Sequence, residues 1–431
     1  MAQPPICSLP LELLEEIADV VDPNTQLALC LVSKLFHSLT LASLYRVIYL
    51  DTPSSVVACC RTLAQNKKAA MAVRNFSIYY TPFAPPGIHY FTSFYSNVRA
   101  ALMQLPHLQE LKLMVFDPTY IQVLNHAFFP SLRHFECQLA LTDSLILFLN
   151  RHPMIIYLQI APNEALRPLS IGSILPQVVL PKLQYFIGNS ECVSALVPDA
   201  SLRAAFIFWE ANDGTPQDAI RSLERSSGDT INLVSCRRRG WNLDLLDLIS
   251  IWLPNIYVLI ITNLLVVDSR PSEAYLTTVR GLLSRFSMLR HLHLYCVDTW
   301  KMSNLSCNLD EDFATVMEWG AACPSLVECI LPHSNNMKWI RLHDLWIPDP
   351  TNPQGAEWTL KMLYSNTHPR WNQLLVDITN HLRKKSGYTQ RFEDIFIALR
   401  CLTLNDDEDG IVVDNTENVV QQEEDRRLTD V

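Results

Sequence analysis

The sequence predicts an α/β chain: a small helical bundle first, then an irregular solenoid of short strands and helices built on a parallel sheet. Two observations carry this expectation. Three short apolar-periodic segments fall within the first fifty residues, and a unit of the form apolar-Pro-x-Leu-x-x-apolar-x-apolar returns along the chain from Leu105 onward. With 431 residues, 49% of them hydrophobic and 18% charged, the chain has the material for a large core.

The first helix opens at Leu9-Pro10. Proline suits a first turn, and Glu12, Glu15 and Glu16 favour the positive end of the helix. Leu13, Leu14, Ile17, Val20 and Val21 recur at helical spacing up to Asp22-Pro23, which stops the helix. Asn24 or Thr25 can cap a second helix with the apolar set Ala28, Leu31, Val32 and Leu35, and a third apolar stretch runs through Leu39, Leu41 and Leu44 to Tyr45. A bundle this small buries only part of its apolar surface, so some of that surface should rest on a partner or on the rest of the chain.

The repeated unit reads Leu105-Pro106-His107-Leu108-Gln109-Glu110-Leu111-Lys112-Leu113, then Phe129-Pro130-Ser131-Leu132-Arg133-His134-Phe135-Glu136-Cys137. Variants follow at Pro153, Pro181, Pro254 and Pro324, and at Leu202, Ile231 and Leu289 without the proline. The key positions 108, 132, 155, 183, 202, 231, 256, 289 and 326 lie 24, 23, 28, 19, 29, 25, 33 and 37 residues apart, mostly the period of a leucine-rich repeat. Alternating apolar residues after each key position make a strand with one buried face, and segments such as 143–149 and 243–249 read as helices. Neither element buries its apolar face alone, so neighbouring units must stack. The fold class is therefore α/β, with a leucine-rich-repeat-like solenoid. The asparagine usual after such a strand is missing at Phe116, Ala140, Glu191, Leu264 and Val297, with Asn163 alone conforming, so a regular asparagine ladder is not expected. A doubly wound α/β domain is the alternative; no Gly-rich phosphate loop accompanies it.

The last third is rich in tryptophan: Trp300, Trp319, Trp339, Trp346, Trp358 and Trp371. Pro348, Pro350, Pro353 and Gly355 mark a loop between Trp346 and Trp358, and helices are expected over 371–385 and 391–401. This region reads as a closing cap, with Trp339, Trp346 and Trp358 as the candidate aromatic contacts for a target. From Asp406 to Val431 ten acidic residues meet two basic ones, so this tail holds minus 8 of the formal net charge of minus 10 and should stay solvated. The expected divisions are 1–50 helical bundle, 51–372 solenoid, 373–405 helical cap and 406–431 acidic tail.

The residues Leu9-Pro10, Glu12-Leu13-Leu14, Ile17, Leu31-Val32-Ser33-Lys34, Phe36 and Leu44-Tyr45-Arg46 resemble an F-box. Phe36 stands where many F-boxes carry Trp, and Thr25-Gln26 replaces a more usual acidic start of the second helix. The resemblance implies docking on the small adaptor subunit of SCF-type cullin-RING ubiquitin ligases. The docking pattern falls on Leu9, Pro10, Leu13, Leu14, Ile17, Val32 and Phe36, with Leu9, Pro10 and Leu13 as leading contacts. An F-box followed by leucine-rich-like repeats also resembles the F-box proteins of fungi. The implied function is a non-catalytic substrate receptor that holds a protein target on its repeat region. The alternative is a scaffold outside any ubiquitin pathway, its solenoid merely capped by the bundle.

Other chemistry finds little support in the residues. No GxSxG elbow, GxxxxGK loop or HExxH helix occurs, so no catalytic residue and no cofactor is expected. His291 and His293 share a strand face, with Cys296 near in sequence, but further ligands at zinc spacing are missing and no metal is expected. Arg237-Arg238-Arg239 beside Gly240 reads as a solvated loop, and the acidic balance argues against nucleic acid. Twelve cysteines without a CxxC pair read as free buried thiols. With no apolar run long enough for a membrane span and no leader pattern, the expected setting is cytoplasmic or nuclear, with no membrane partner.

Overall fold

The computed structural model describes residues 9–80, 90–161, 178–198, 200–209, 215–227, 230–264, 271–297, 308–332, 337–343 and 345–365. Two compact units are present, one formed by 1–341 with 345–349 and the other by 342–344 with 350–431. The expected helices at 371–385 and 391–401 and the acidic tail lie outside the described residues, as do Asn163, Trp300 and Trp371.

The first unit opens with three helices, α1 (Leu11–Val20), α2 (Pro23–Val32) and α3 (Lys34–Arg46). Asp22, rather than Asn24 or Thr25, caps α2: its carboxylate accepts the N–H groups of Asn24 and Thr25 at 3.0 and 3.2 Å, with Pro23 at the first helical position. Ser33 interrupts the segment that the apolar pattern joins, and its Oγ accepts the Phe36 N–H at 3.2 Å to start α3, so Leu35 belongs to the third helix. Buried Gln26 braces all three helices. Its Nε2 donates to Ala18 O at 2.7 Å and to Ser43 Oγ at 2.9 Å.

Among the described residues thirteen strands follow in one sheet whose spatial order is the chain order. They are β1 (Val47–Leu50), β2 (Asn75–Tyr79), β3 (Glu110–Met114), β4 (His134–Cys137), β5 (Tyr157–Ile160), β6 (Tyr185–Asn189), β7 (Ala204–Phe208), β8 (Leu233–Arg239), β9 (Val258–Leu264), β10 (His291–Val297), β11 (Glu328–Ile330), β12 (Lys338–Leu342) and β13 (Leu345–Pro348). Neighbours from β1 to β11 are parallel, and β12 runs antiparallel to β11. The α/β class with a parallel sheet is thus present. Crossovers between parallel strands are right-handed as a rule, and with strands in chain order that rule keeps the connecting helices on one face of the sheet.

Every key position of the repeat lies two residues before a strand, and all nine side chains are buried. The prolines explain how. At Pro106, Pro130, Pro153, Pro181, Pro254 and Pro324 the key residue's N–H closes a turn onto the carbonyl three residues earlier, as in Leu108 N–H to Leu105 O and Leu132 N–H to Phe129 O. Proline then occupies the second position of the turn, where its fixed φ is already correct. From β2 to β11 the step to the next strand is made alike: the carbonyl just before one strand accepts two successive N–H groups at the start of the next, as Gln109 O does from Arg133 and His134 at 2.9 and 3.1 Å. In this register Phe76, Leu111, Phe135, Leu158, Phe186, Ala205, Val234, Leu259, Leu292 and Cys329 form one fully buried row facing the helices.

β1 and β2 extend the sheet upstream of the first recognisable repeat. Val73, wholly buried two residues before β2, holds the key position without a proline. One buried asparagine rung exists where none was expected: Asn263 Oδ1 accepts from Asn242 Nδ2 at 2.9 Å, and its Nδ2 donates to Tyr295 O at 3.1 Å. In the second unit the expected loop is instead partly helical. Asn352 caps the helix Pro353–Ser365, placing Pro353 in its first turn and Gly355 inside it.

His152 opens one of the proline turns, its carbonyl accepting the Ile155 N–H, and is buried as a neutral imidazole. Its Nε2 accepts the Phe129 N–H at 2.9 Å while its Nδ1 donates to Phe148 O at 2.7 Å. Burial, beside the Arg151 charge, lowers its pKa to about 4. The unfolded chain, with histidine near its ordinary value, therefore binds more protons between those two values, and stability falls as pH drops through that window. Urea unfolding should show a loss of about 1–2 kcal/mol between pH 7.5 and pH 5 that His152→Leu removes. The same variant should be less stable at pH 7.5, because the Phe129 N–H loses its acceptor.

Candidate functional site

The bundle divides its apolar residues into two sets. Leu14, Phe36 and Leu39 pack together with Leu29 as its core, Leu14 being 2% and Phe36 4% exposed. The other set faces out: Leu9 just before α1, Leu11, Leu13, Ile17 and Val20 along it, Leu27, Leu31 and Val32 on α2, and Leu35 at the start of α3. Val20 and Leu31 are 86% and 89% exposed. Of the candidate docking residues, Leu9, Pro10, Leu13, Ile17 and Val32 are therefore available on the surface. Leu14 and Phe36 are not; they pack in the core that holds the helices together. Within α1 the exposed Leu13, Ile17 and Val20 recur every three or four residues and so share one side of the helix, with exposed Leu11 on the other.

A second surface is the sheet face opposite the helices, formed by the first, third and fifth residues of each strand. Its character changes along the sheet. Near the start Lys112 Nζ lies 3.0 Å from Glu110 Oε1 and 3.2 Å from Glu136 Oε1, His134 Nε2 is 2.6 Å from Glu136 Oε1, and Asn75 Nδ2 donates to Glu110 Oε2 at 3.0 Å. The His134 ring stacks on Tyr157 with centroids 3.9 Å apart. Burial alone would raise the Glu136 pKa, but the His134 and Lys112 contacts outweigh it and hold the carboxyl below its ordinary value. The middle of the face is apolar: Ala204, Leu233, Val258 and Ile260 are buried, with Tyr185, Phe206, Tyr257 and Tyr295 packed against them. At β10 and β11 polar groups return as His291, His293 and Glu328, with His293 Nε2 2.9 Å from Glu328 Oε1.

Glu328 was not singled out from the sequence, because it lies 35 residues beyond His293 and reaches it only through strand pairing. Cys296, near the histidines in sequence, alternates to the other face of β10. Burial pushes the Cys59 thiol up to about 11, and Cys60 and Cys137 up to about 12, so these thiols stay protonated and unreactive near neutral pH. Arg238 is a strand residue rather than a loop one, and pairs with Asp244 at 2.6 Å.

The candidate target-binding tryptophans are interior. Trp339 and Trp346 are 0% and 1% exposed, and Trp358, in the second unit, is also buried. As packed, none presents an open ring face to a partner. Trp346 lies against Gly320 of the helix Leu309–Ala322, where an added Cβ would fall on the indole Nε1.

Comparison of the chain with protein-family models and with curated proteins finds no match in either. Among the described residues no helix is long and apolar enough to cross a membrane.

Two alanine substitutions separate the local packing effects. Gly320→Ala should lower the thermal midpoint, since Trp346 is enclosed and cannot move aside without strain. Gly281→Ala, exposed within the helix Glu273–Leu283 with open space at its Cβ, should stabilise by about 0.5–1 kcal/mol. Differential scanning calorimetry of both variants reads this contrast.

Proposed function

We propose that the chain is a substrate-receptor subunit of an SCF-type cullin-RING ubiquitin ligase. In this reading α1–α3 are an F-box, the repeat region is leucine-rich-repeat-like, and the protein performs no bond chemistry itself. The observation that carries it is the outward set Leu9, Leu13, Ile17, Leu31 and Val32 on a bundle that already has a separate core in Leu14, Phe36 and Leu39. A helical cap that served only to close a solenoid would gain by turning such residues inward. The adaptor subunit supplies the apolar surface that would cover them. The sheet face opposite the helices, with a polar zone, an apolar centre and a second polar zone, is the extended surface for a protein target. Holding that target beside the ligase raises the effective concentration of its lysines at the transfer machinery.

One observation favours the second reading, a scaffold in which the bundle is just a cap: α3 passes into β1 without a linker and packs on the helix Lys67–Ala72. Co-purification of the full chain with the adaptor distinguishes the two. The wild type should retain the adaptor, and Ile17→Ser combined with Val32→Ser should lose it by more than about ten-fold with little change in thermal midpoint. Phe36→Ala should instead destabilise the bundle by about 3–5 kcal/mol. Failure of the wild type to retain the adaptor, or retention unchanged in the double variant, overturns the receptor reading.

A further inference from the structure

The histidine–carboxylate group at the end of the sheet has the form of a metal site. β10 and β11 pair in parallel with His291 opposite Glu328, and His293, two residues further along β10, lies on the same face. His293 Nε2 is 2.9 Å and His291 Nδ1 3.8 Å from Glu328 Oε1, and the three donor atoms all lie within 4.8 Å of one another. Zinc with nitrogen and oxygen ligands at about 2.0–2.1 Å has tetrahedral ligand–ligand separations of about 3.3 Å. The two separations to Glu328 fall on either side of that value, so small side-chain rotations bring the set into coordination.

We propose that His291, His293 and Glu328 bind a divalent transition-metal ion of the zinc type, leaving a fourth position open toward the sheet face. Two imidazoles and one carboxylate on paired strands make a donor set whose backbone spacing the ladder holds fixed. His293 is buried while His291 and Glu328 are partly exposed, which gives an ion an anchored ligand and a route of entry. Tyr295 Oη lies 3.4 Å from His293 Nδ1, on the side of the ring away from Glu328, where it can orient the imidazole. Lys338 Nζ is 3.7 Å from Glu328 Oε1, a cation that competes for the carboxylate, but it is also 3.8 Å from Asp349 Oδ2 and keeps that partner when an ion takes Glu328. The open fourth position fits a water or a donor group from a bound protein.

Cobalt(II) is the probe, because its visible absorption reports tetrahedral coordination and a near-ultraviolet thiolate band reports cysteine ligation. Titrated into the full chain near neutral pH, it should saturate at one equivalent with tetrahedral bands and without a thiolate band, and zinc should displace it. His291→Gln and Glu328→Gln, both at partly exposed positions and checked for folding by circular dichroism, should each weaken binding by more than about ten-fold. Lys338→Gln should strengthen it. Absence of saturable binding, a thiolate band in its place, or unchanged binding in the two ligand variants overturns the site.

Discussion

Each step of the sheet from β2 to β11 hangs on one backbone carbonyl that accepts two N–H groups from the next strand. This junction sets the register, and the register sets everything that follows. Two residues before each strand an apolar side chain is buried, and alternation then divides the strand between the helix face and its opposite. The intervening segments differ in length by almost a factor of two, from 19 to 37 residues between key positions, yet the strands meet in the same register. Length variation is absorbed in the connections, where loop closure depends only weakly on residue number.

That regularity gives the two surfaces different physical origins. The sheet face opposite the helices is a by-product of pairing: any residue at a first or third strand position appears there, whatever its neighbours in sequence. Lys112 meets Glu136 and His134 meets Tyr157 because parallel strands bring matching positions together, and His293 reaches Glu328 across the same kind of pair, one step off the matching position. The bundle surface has a local origin. A few helical turns can enclose Leu14, Phe36 and Leu39 but not Leu13, Ile17, Leu31 and Val32 as well, and the helices resolve the excess by turning the second set outward.

The sequence discloses the repeat because proline leaves a mark. Where a turn uses it, as at Pro106 or Pro324, the strand two residues after the key position can be placed in advance. Where a helix runs straight into the turn, as from Ala72 to Val73, the same geometry is formed without proline, and β2 is not visible in the pattern. The bundle was legible as three helices, though Ser33 as a cap was hidden by the apolar residues on both sides of it. Which apolar residues face out was less legible: Leu13 and Leu14 are alike in type, and only the packing of α1 against α3 decides that Leu14 is core. The tryptophans mislead for a related reason, since a large aromatic ring serves equally for filling an interior and for recognition. Glu328 could not be found by spacing at all, because its partnership with the histidines exists only in the ladder.

In the proposed reading the outward apolar set of α1–α3 binds the ligase adaptor, and the sheet face is left for the target. Hydrogen–deuterium exchange of the full chain, with and without the ligase adaptor, tests it directly. The account predicts slowed exchange on adaptor binding in peptides covering Leu11–Val20 and Pro23–Val32, with the strands from β3 to β10 unchanged. Unchanged exchange in both helices, or protection confined to the strands, would contradict it.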